Sequence, residues 1–158
     1  MYNVLNRTIK KGEQMFFWDK HKTITDCYEL LAKGVCEKYK LTQMEYDILM
    51  FLHNSPQHNT AAEIVKVRKS TKSHVSTSLK KLEEKGFIKR IQSADNKKHI
   101  EIILLDASIP VLNDGLKAQK EFAKHILSGL TEEEKHACVA IFSKICANAD
   151  DYLKNHTE

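Results

Sequence analysis

The chain has 158 residues, 42% of them hydrophobic, which is enough for one well-buried core and a small second lobe. Five Gly and two Pro favour long helices and short loops. No run approaches the roughly 18 apolar residues that span a bilayer, and the opening MYNVLNRTIKKGEQ lacks the apolar core of a signal peptide, so a cytoplasmic protein with no membrane partner is expected.

The net charge of +4 is unevenly placed. Residues 60–99 hold eleven Lys or Arg against four Asp or Glu, leaving fourteen basic and seventeen acidic residues elsewhere. A local +7 in a chain that is otherwise slightly acidic is the footprint of a surface that meets phosphates. A solvated lysine-rich face is the simpler alternative, but the excess falls on one structural motif.

Residues 1–40 read as a helical segment. Phe16, Phe17, Trp18, His21 and Tyr28 could line an effector pocket there or simply pack. Three T-x-x-E boxes, Thr42 with Glu45, Thr60 with Glu63 and Thr131 with Glu134, predict helix starts near 43, 61 and 132. The first helix draws its apolar side from Met44, Ile48, Leu49, Phe51 and Leu52 and stops before Asn54-Ser55-Pro56. The second, AAEIVKVR, is expected to bury Ala62, Ile64, Val65 and Val67.

Thr71 is the predicted N-cap of the next helix and Gly86 its stop. Val75, Leu79 and Leu82 form its inward stripe, so Ser73, Thr77, Lys80 and Glu84 face outward, flanked by His74, Ser76 and Lys81. Small polar residues in the first turns suit base edges, while later lysines suit phosphates. The outer face has no Arg, Asn or Gln, the side chains whose bidentate base contacts contribute about 1 to 3 kcal/mol each, so a large share of groove-shape readout is expected. The candidate DNA contacts are Thr71, Lys72, Ser73, His74, Ser76, Thr77, Lys80 and Lys81.

FIKRIQ and HIEIILL then predict a β-hairpin, turned at Asp95 and Asn96. Arg90, Lys97 and Lys98 are added as its DNA contacts, the last two as cations near a tip that can lie beside the minor groove. Beyond it, Ile109, Leu112, Leu116, Phe122, Ile126 and Leu127 mark a helix capped by Asp106 and stopped by Gly129. Cys138, Ile141, Phe142, Ile145, Ala149, Tyr152 and Leu153 mark another. These helices either cover their own core or need a partner surface.

The fold class is therefore mainly α with a small β-wing: a winged helix-turn-helix at 41–106 between helical segments at 1–40 and 107–158. An enzyme is not expected, since the chain has no phosphate-binding glycine loop, nucleophile elbow or hydrolase motif. No cofactor or metal site is expected either, because neither CxxC nor H-x-x-x-H spacing occurs. Cys27 and Cys36 lie roughly 13 Å apart if they share a helix, too far for a disulfide.

LTQMEYDILMFL, then LKKLEEKGFIKR, then Asp95 and Lys97 in a D-x-R position give the chain a resemblance to the MarR family of bacterial transcriptional regulators. Lys97 stands where the family pattern has Arg, and a point charge replaces a forked donor. Lys69-Ser70 stands where many relatives have Gly and an aliphatic residue. The resemblance implies a homodimer, with 1–40 and 107–158 as its dimerisation segments, whose recognition helices enter successive major grooves of a pseudo-palindromic operator, most often as a repressor responding to a small-molecule effector. It also implies a redox-sensing variant with Cys27 as the candidate thiol, Tyr28 beside it, His21 near, and Lys22 and Lys33 as nearby cations. A winged helix that docks an acidic protein is the alternative from another class.

Overall fold

Helix ends in this chain are set by side chains that satisfy backbone groups the helix leaves open. At Thr42, Thr60 and Thr131 the hydroxyl accepts the N–H of the Glu three residues on, and that Glu reaches back to the Thr N–H. The computed structural model describes residues 11–92 and 100–156, with side chains in the first helix at Lys20 and from Lys22 onward. Its elements are α1 (Lys11–Tyr39), α2 (Gln43–Asn54), α3 (Ala61–Arg68), α4 (Lys72–Glu84), β1 (Ile88–Gln92), β2 (Ile100–Leu104), a 3-10 turn (Asp106–Ser108), α5 (Ile109–Ile126) and α6 (Glu132–His156).

Helices α1, α3 and α4 each stop at a left-handed residue. Lys40 (φ 53°), Lys69 (φ 52°) and Gly86 (φ 74°) allow the N–H groups of Leu41, Ser70 and Phe87 to reach back to the carbonyls of Cys36, Val65 and Leu82. Glycine adopts this conformation freely, whereas each lysine carries a strain of about 1 kcal/mol. The atypical Lys69-Ser70 pair thus makes the same turn that a glycine would.

The core gathers around α2, which is apolar on almost every side. Tyr46, Ile48, Leu49 and Met50 are buried, and Ile64, Val75, Leu79, Leu82, Ile88, Ile102 and Val111 come to them from five other elements. The strands pair antiparallel, with Ile88 opposite Leu104, Arg90 opposite Ile102 and Gln92 opposite Ile100. A further bond, from Ile102 N–H to the Asn59 carbonyl at 2.8 Å, ties β2 to the segment before α3.

Three local expectations change. Helix α3 buries Ile64 and half-buries Val65, while Ala62 and Val67 are exposed, because one short turn-and-a-half of contact leaves room for only one side chain in the core. Asp106 opens a 3-10 turn rather than capping an α-helix, and Ser108 Oγ donates to the Leu105 carbonyl at 2.7 Å. Helix α2 keeps Asn54 within its last turn, with Ser55 as the C-cap.

Residues 1–122 and 123–158 form two separate compact units. Within the first, α5 crosses α2 at Gly115, where an added Cβ would lie 2.4 Å from Met50 Sδ. Within the second, Gly129 (φ 81°) ends the turn after α5 and the Thr131 box starts α6. No residue of α6 is buried, and Val139, Ile141, Phe142, Ile145, Tyr152 and Leu153 stand exposed.

Candidate nucleic-acid interface

Helix α4 begins where Thr71 accepts the His74 N–H at 3.3 Å. Val75, Ser78, Leu79 and Leu82 turn inward and are buried. Every residue predicted for its outer face, Ser73, His74, Ser76, Thr77, Lys80, Lys81 and Glu84, is exposed, and so is Lys72. The local sequence accounts for this: the inward residues recur at i, i+4 and i+7, so the rest of each turn has nowhere to point but solvent.

Electrostatics separate the cations of this segment that are committed to carboxylates from those that are not. Arg68, Lys85 and Arg90 are held internally, by Asp47 at 2.7 Å, by Glu45 at 2.6 Å and by Glu83. Lys80 lies 3.9 Å from Glu84 on the same helix, with both side chains well exposed. Lys66, Lys72, Lys81 and Lys89 are exposed and have no ion pair among the described residues. Lys66 and Lys89 are absent from the sequence-derived contacts, although Lys89 is signalled by the alternation of β1, which places it on the outer side of the hairpin.

Arg90 is anchored firmly. Its backbone N–H donates to Glu83 Oε1 at 3.0 Å and its Nε to Oε2 at 2.9 Å. Those bonds hold the Glu83 carboxyl below the usual carboxylate range. The wing's first strand is thereby fixed to the recognition helix. Asp95, Asn96, Lys97 and Lys98, at the predicted tip, lie outside the described residues.

Where α3, α4 and the hairpin meet, a cleft of about 380 Å³ has Val65, Val75, Leu79 and Ile102 in its walls, with Lys72, Ser76 and Arg90 among its polar lining. The predicted effector residues lie elsewhere. Tyr28 packs edge-on against Phe122 with centroids 5.4 Å apart and tilts against Tyr46 at 6.3 Å. Burial raises the pKa of its hydroxyl. Cys27 is a half-buried free thiol, and the side chains of Phe16, Phe17, Trp18 and His21 are outside those described.

Asp47 accepts Gln43 Nε2 at 2.9 Å and Arg68 at 2.7 Å, linking α2 to the end of α3. Burial raises its pKa, and the arginine and glutamine partly offset that rise. Asp114 accepts Lys38 at 2.7 Å, Tyr39 at 2.9 Å and Lys117 at 3.1 Å, linking α5 to the end of α1. No sequence spacing signals the pairs that link separate elements, Arg68–Asp47, Tyr39–Asp114 and Lys38–Asp114, because their members are 21 to 76 residues apart. Among the described residues no cluster of His, Cys, Asp and Glu is arranged to hold a metal ion, and no helix is long and apolar enough to cross a membrane.

Comparison with known proteins agrees with this geometry. Residues 41–100, from just before α2 to the first residue of β2, match the model of the MarR family. The chain is 28% identical over 113 residues to the HTH-type transcriptional regulator PecS of Dickeya dadantii (strain 3937), covering 70% of this chain and 68% of that one. Its fold is similar to a MarR family transcriptional regulator from Listeria monocytogenes complexed with a 26mer DNA, with a TM-score of 0.76 at 20% identity over 89% of this chain and 94% of that one. It is also similar to S. aureus MepR in a DNA complex, with a TM-score of 0.66 at 23% identity over 85% and 94% of the two chains. With its helix-turn-helix, hairpin and flanking helices in this order, the chain carries a MarR family match over residues 41–100 and shares the fold of MarR family regulators.

Proposed function

We propose that this protein is a homodimeric repressor that binds a pseudo-palindromic double-stranded DNA operator in the cytoplasm, using α4 in the major groove and the hairpin beside it. The observation that carries the reading is the exposed outer face of α4, polar and small at Ser73, Ser76 and Thr77, then cationic at Lys80 and Lys81. Small side chains let the helix approach base edges, and lysines within the same surface reach phosphates. Thr71, Lys72, His74, Arg90, Lys97 and Lys98 complete the contact set, and Lys66 and Lys89 extend it. The lack of forked donors on α4 assigns much of the specificity to groove shape.

Dimerisation would use the flanking segments 1–40 and 107–158. Within its own unit α6 buries none of its apolar row, which supports this reading. Two copies related by a two-fold axis would place two readers on half-sites one helical turn apart.

For the effector, the cleft between α4 and the hairpin suits an aromatic or aliphatic acid: its walls are apolar, and Lys72 can meet a carboxylate, Arg90 being held by Glu83. A thermal-shift series with aromatic acids tests this, since a ligand of the folded state raises its melting temperature. The redox variant has less support, as Cys27 has no cation bonded to it among the interactions described.

Salt dependence separates a DNA reader from a module that docks an acidic protein. If four cations per subunit each neutralise a phosphate, a dimer's log affinity should fall against log salt with a slope of about −7. Weak, salt-steep binding to any duplex together with much tighter binding to one selected duplex is the expected result. No duplex binding at low salt would overturn the reading.

A further inference from the structure

Lys85 follows the last residue of α4, and by charge alone it would count as one more phosphate contact. Its bonding argues otherwise. The ammonium donates to Glu45 Oε2 and to the Lys40 carbonyl, each at 2.6 Å. Glu45 is 1% exposed, and the same carboxylate oxygen accepts the Thr42 N–H at 3.2 Å. One ammonium therefore joins three elements: the left-handed end of α1, the capped start of α2 and the end of α4.

Such a pair is poorly explained as a source of stability. Only the carboxylate is buried, the Lys85 side chain being 32% exposed, and a partly exposed ion pair adds little net stability, whereas it does fix register between the elements it joins. Here the two acceptors belong to the α1–α2 junction and the donor to the recognition helix. Val75, Leu79 and Leu82 seat α4 in the core, and this one side chain adds the polar tie between its end and the α1–α2 junction.

We infer that Lys85, acting through Glu45 and the Lys40 carbonyl, is a positioning residue for DNA recognition: it fixes α4 relative to α1 and so sets the spacing between the two reading heads. The inference rests on α4 being the DNA-contacting helix of a homodimer. Lys85 itself needs no contact with DNA. Its loss should blur the distance between half-sites that the protein accepts, which neither a phosphate contact nor a general stabiliser would do.

The test uses the full chain and a duplex selected by the wild-type protein from a randomised pool, together with the same duplex carrying one base pair inserted between its half-sites. Lys85→Met removes the ammonium; Glu45→Gln keeps a residue able to close the capping box and removes the charge that holds Lys85. In each variant the preference for the selected over the inserted duplex should fall about tenfold, and the double variant should lose little more than either single one. A common loss of affinity for both duplexes would overturn the inference, and so would an unchanged preference. If Lys85→Met fails to fold in thermal denaturation, Glu45→Gln decides by the same ratio. A selected duplex without an inverted repeat would instead overturn the two-reader reading, and the inference with it.

Discussion

Arg90 and Glu83 lock together through both the backbone N–H and the guanidinium of Arg90, so the wing's first strand cannot move independently of the recognition helix. The contact is exposed enough that its ionic part contributes little to stability. Its value is orientation. Glu83→Ala should release the hairpin and remove a negative charge from the DNA-facing side. Affinity for an unrelated duplex should rise a few-fold at low salt, while the ratio of selected to unrelated binding falls; a ratio that stays constant in fluorescence anisotropy would show that the wing does not depend on this anchor.

The free cations make a separate prediction. Lys81→Ala with Lys89→Ala removes two lysines per subunit that are unpaired among the described residues. The salt slope of the dimer should become shallower by about three to four units, with similar loss on all sequences. Thr77→Ala should instead change the order of preference among related duplexes. An equal loss on every duplex from Thr77→Ala would count against base reading at that position.

Gly115 is needed for close approach rather than for backbone freedom. A methyl group there would press on Met50 Sδ at 2.4 Å and on Tyr46 Cε2 at 3.1 Å, both on buried side chains of α2. Gly115→Ala should therefore destabilise the protein by about 1 to 3 kcal/mol despite alanine's better helix propensity. Chemical denaturation measures this directly. A gain in stability would mean that α5 can shift away from α2 without loss.

Asp114 makes stability depend on acid. Hydrogen bonds from Lys38, Lys117 and Tyr39 hold its carboxyl well below the usual carboxylate range. Because the folded-state pKa is the lower one, this contribution is fully present above the unfolded pKa near 4 and is lost as pH falls toward the folded value. Wild type should melt at a higher temperature than Asp114→Asn at pH 7, and the gap should close as pH approaches about 2. A gap independent of pH would contradict the assignment.

The elements of this fold are legible in the sequence because their signals are local. A T-x-x-E box, a left-handed stop and a stripe at i, i+4 and i+7 each involve residues within two turns of one another. The exposed face of α4 follows from the same stripe. What spacing cannot reveal is which cations are committed: Lys85 meets a carboxylate 40 residues away and Arg68 one 21 residues away. The charge run over 60–99 therefore overstates the surface available to phosphates. Ala62 and Val67 fail in the opposite direction, since apolar character marks a residue that can be buried without saying that a short helix has room to bury it.

Selection of duplex DNA by the purified wild-type protein from a randomised pool, followed by measurement of affinity and stoichiometry, tests the central claim most directly. An inverted repeat with half-sites about one helical turn apart, bound by two chains and preferred over a shuffled duplex by roughly a thousandfold or more, is the predicted result. Enrichment of no sequence, with the selected and shuffled duplexes bound equally, would contradict it.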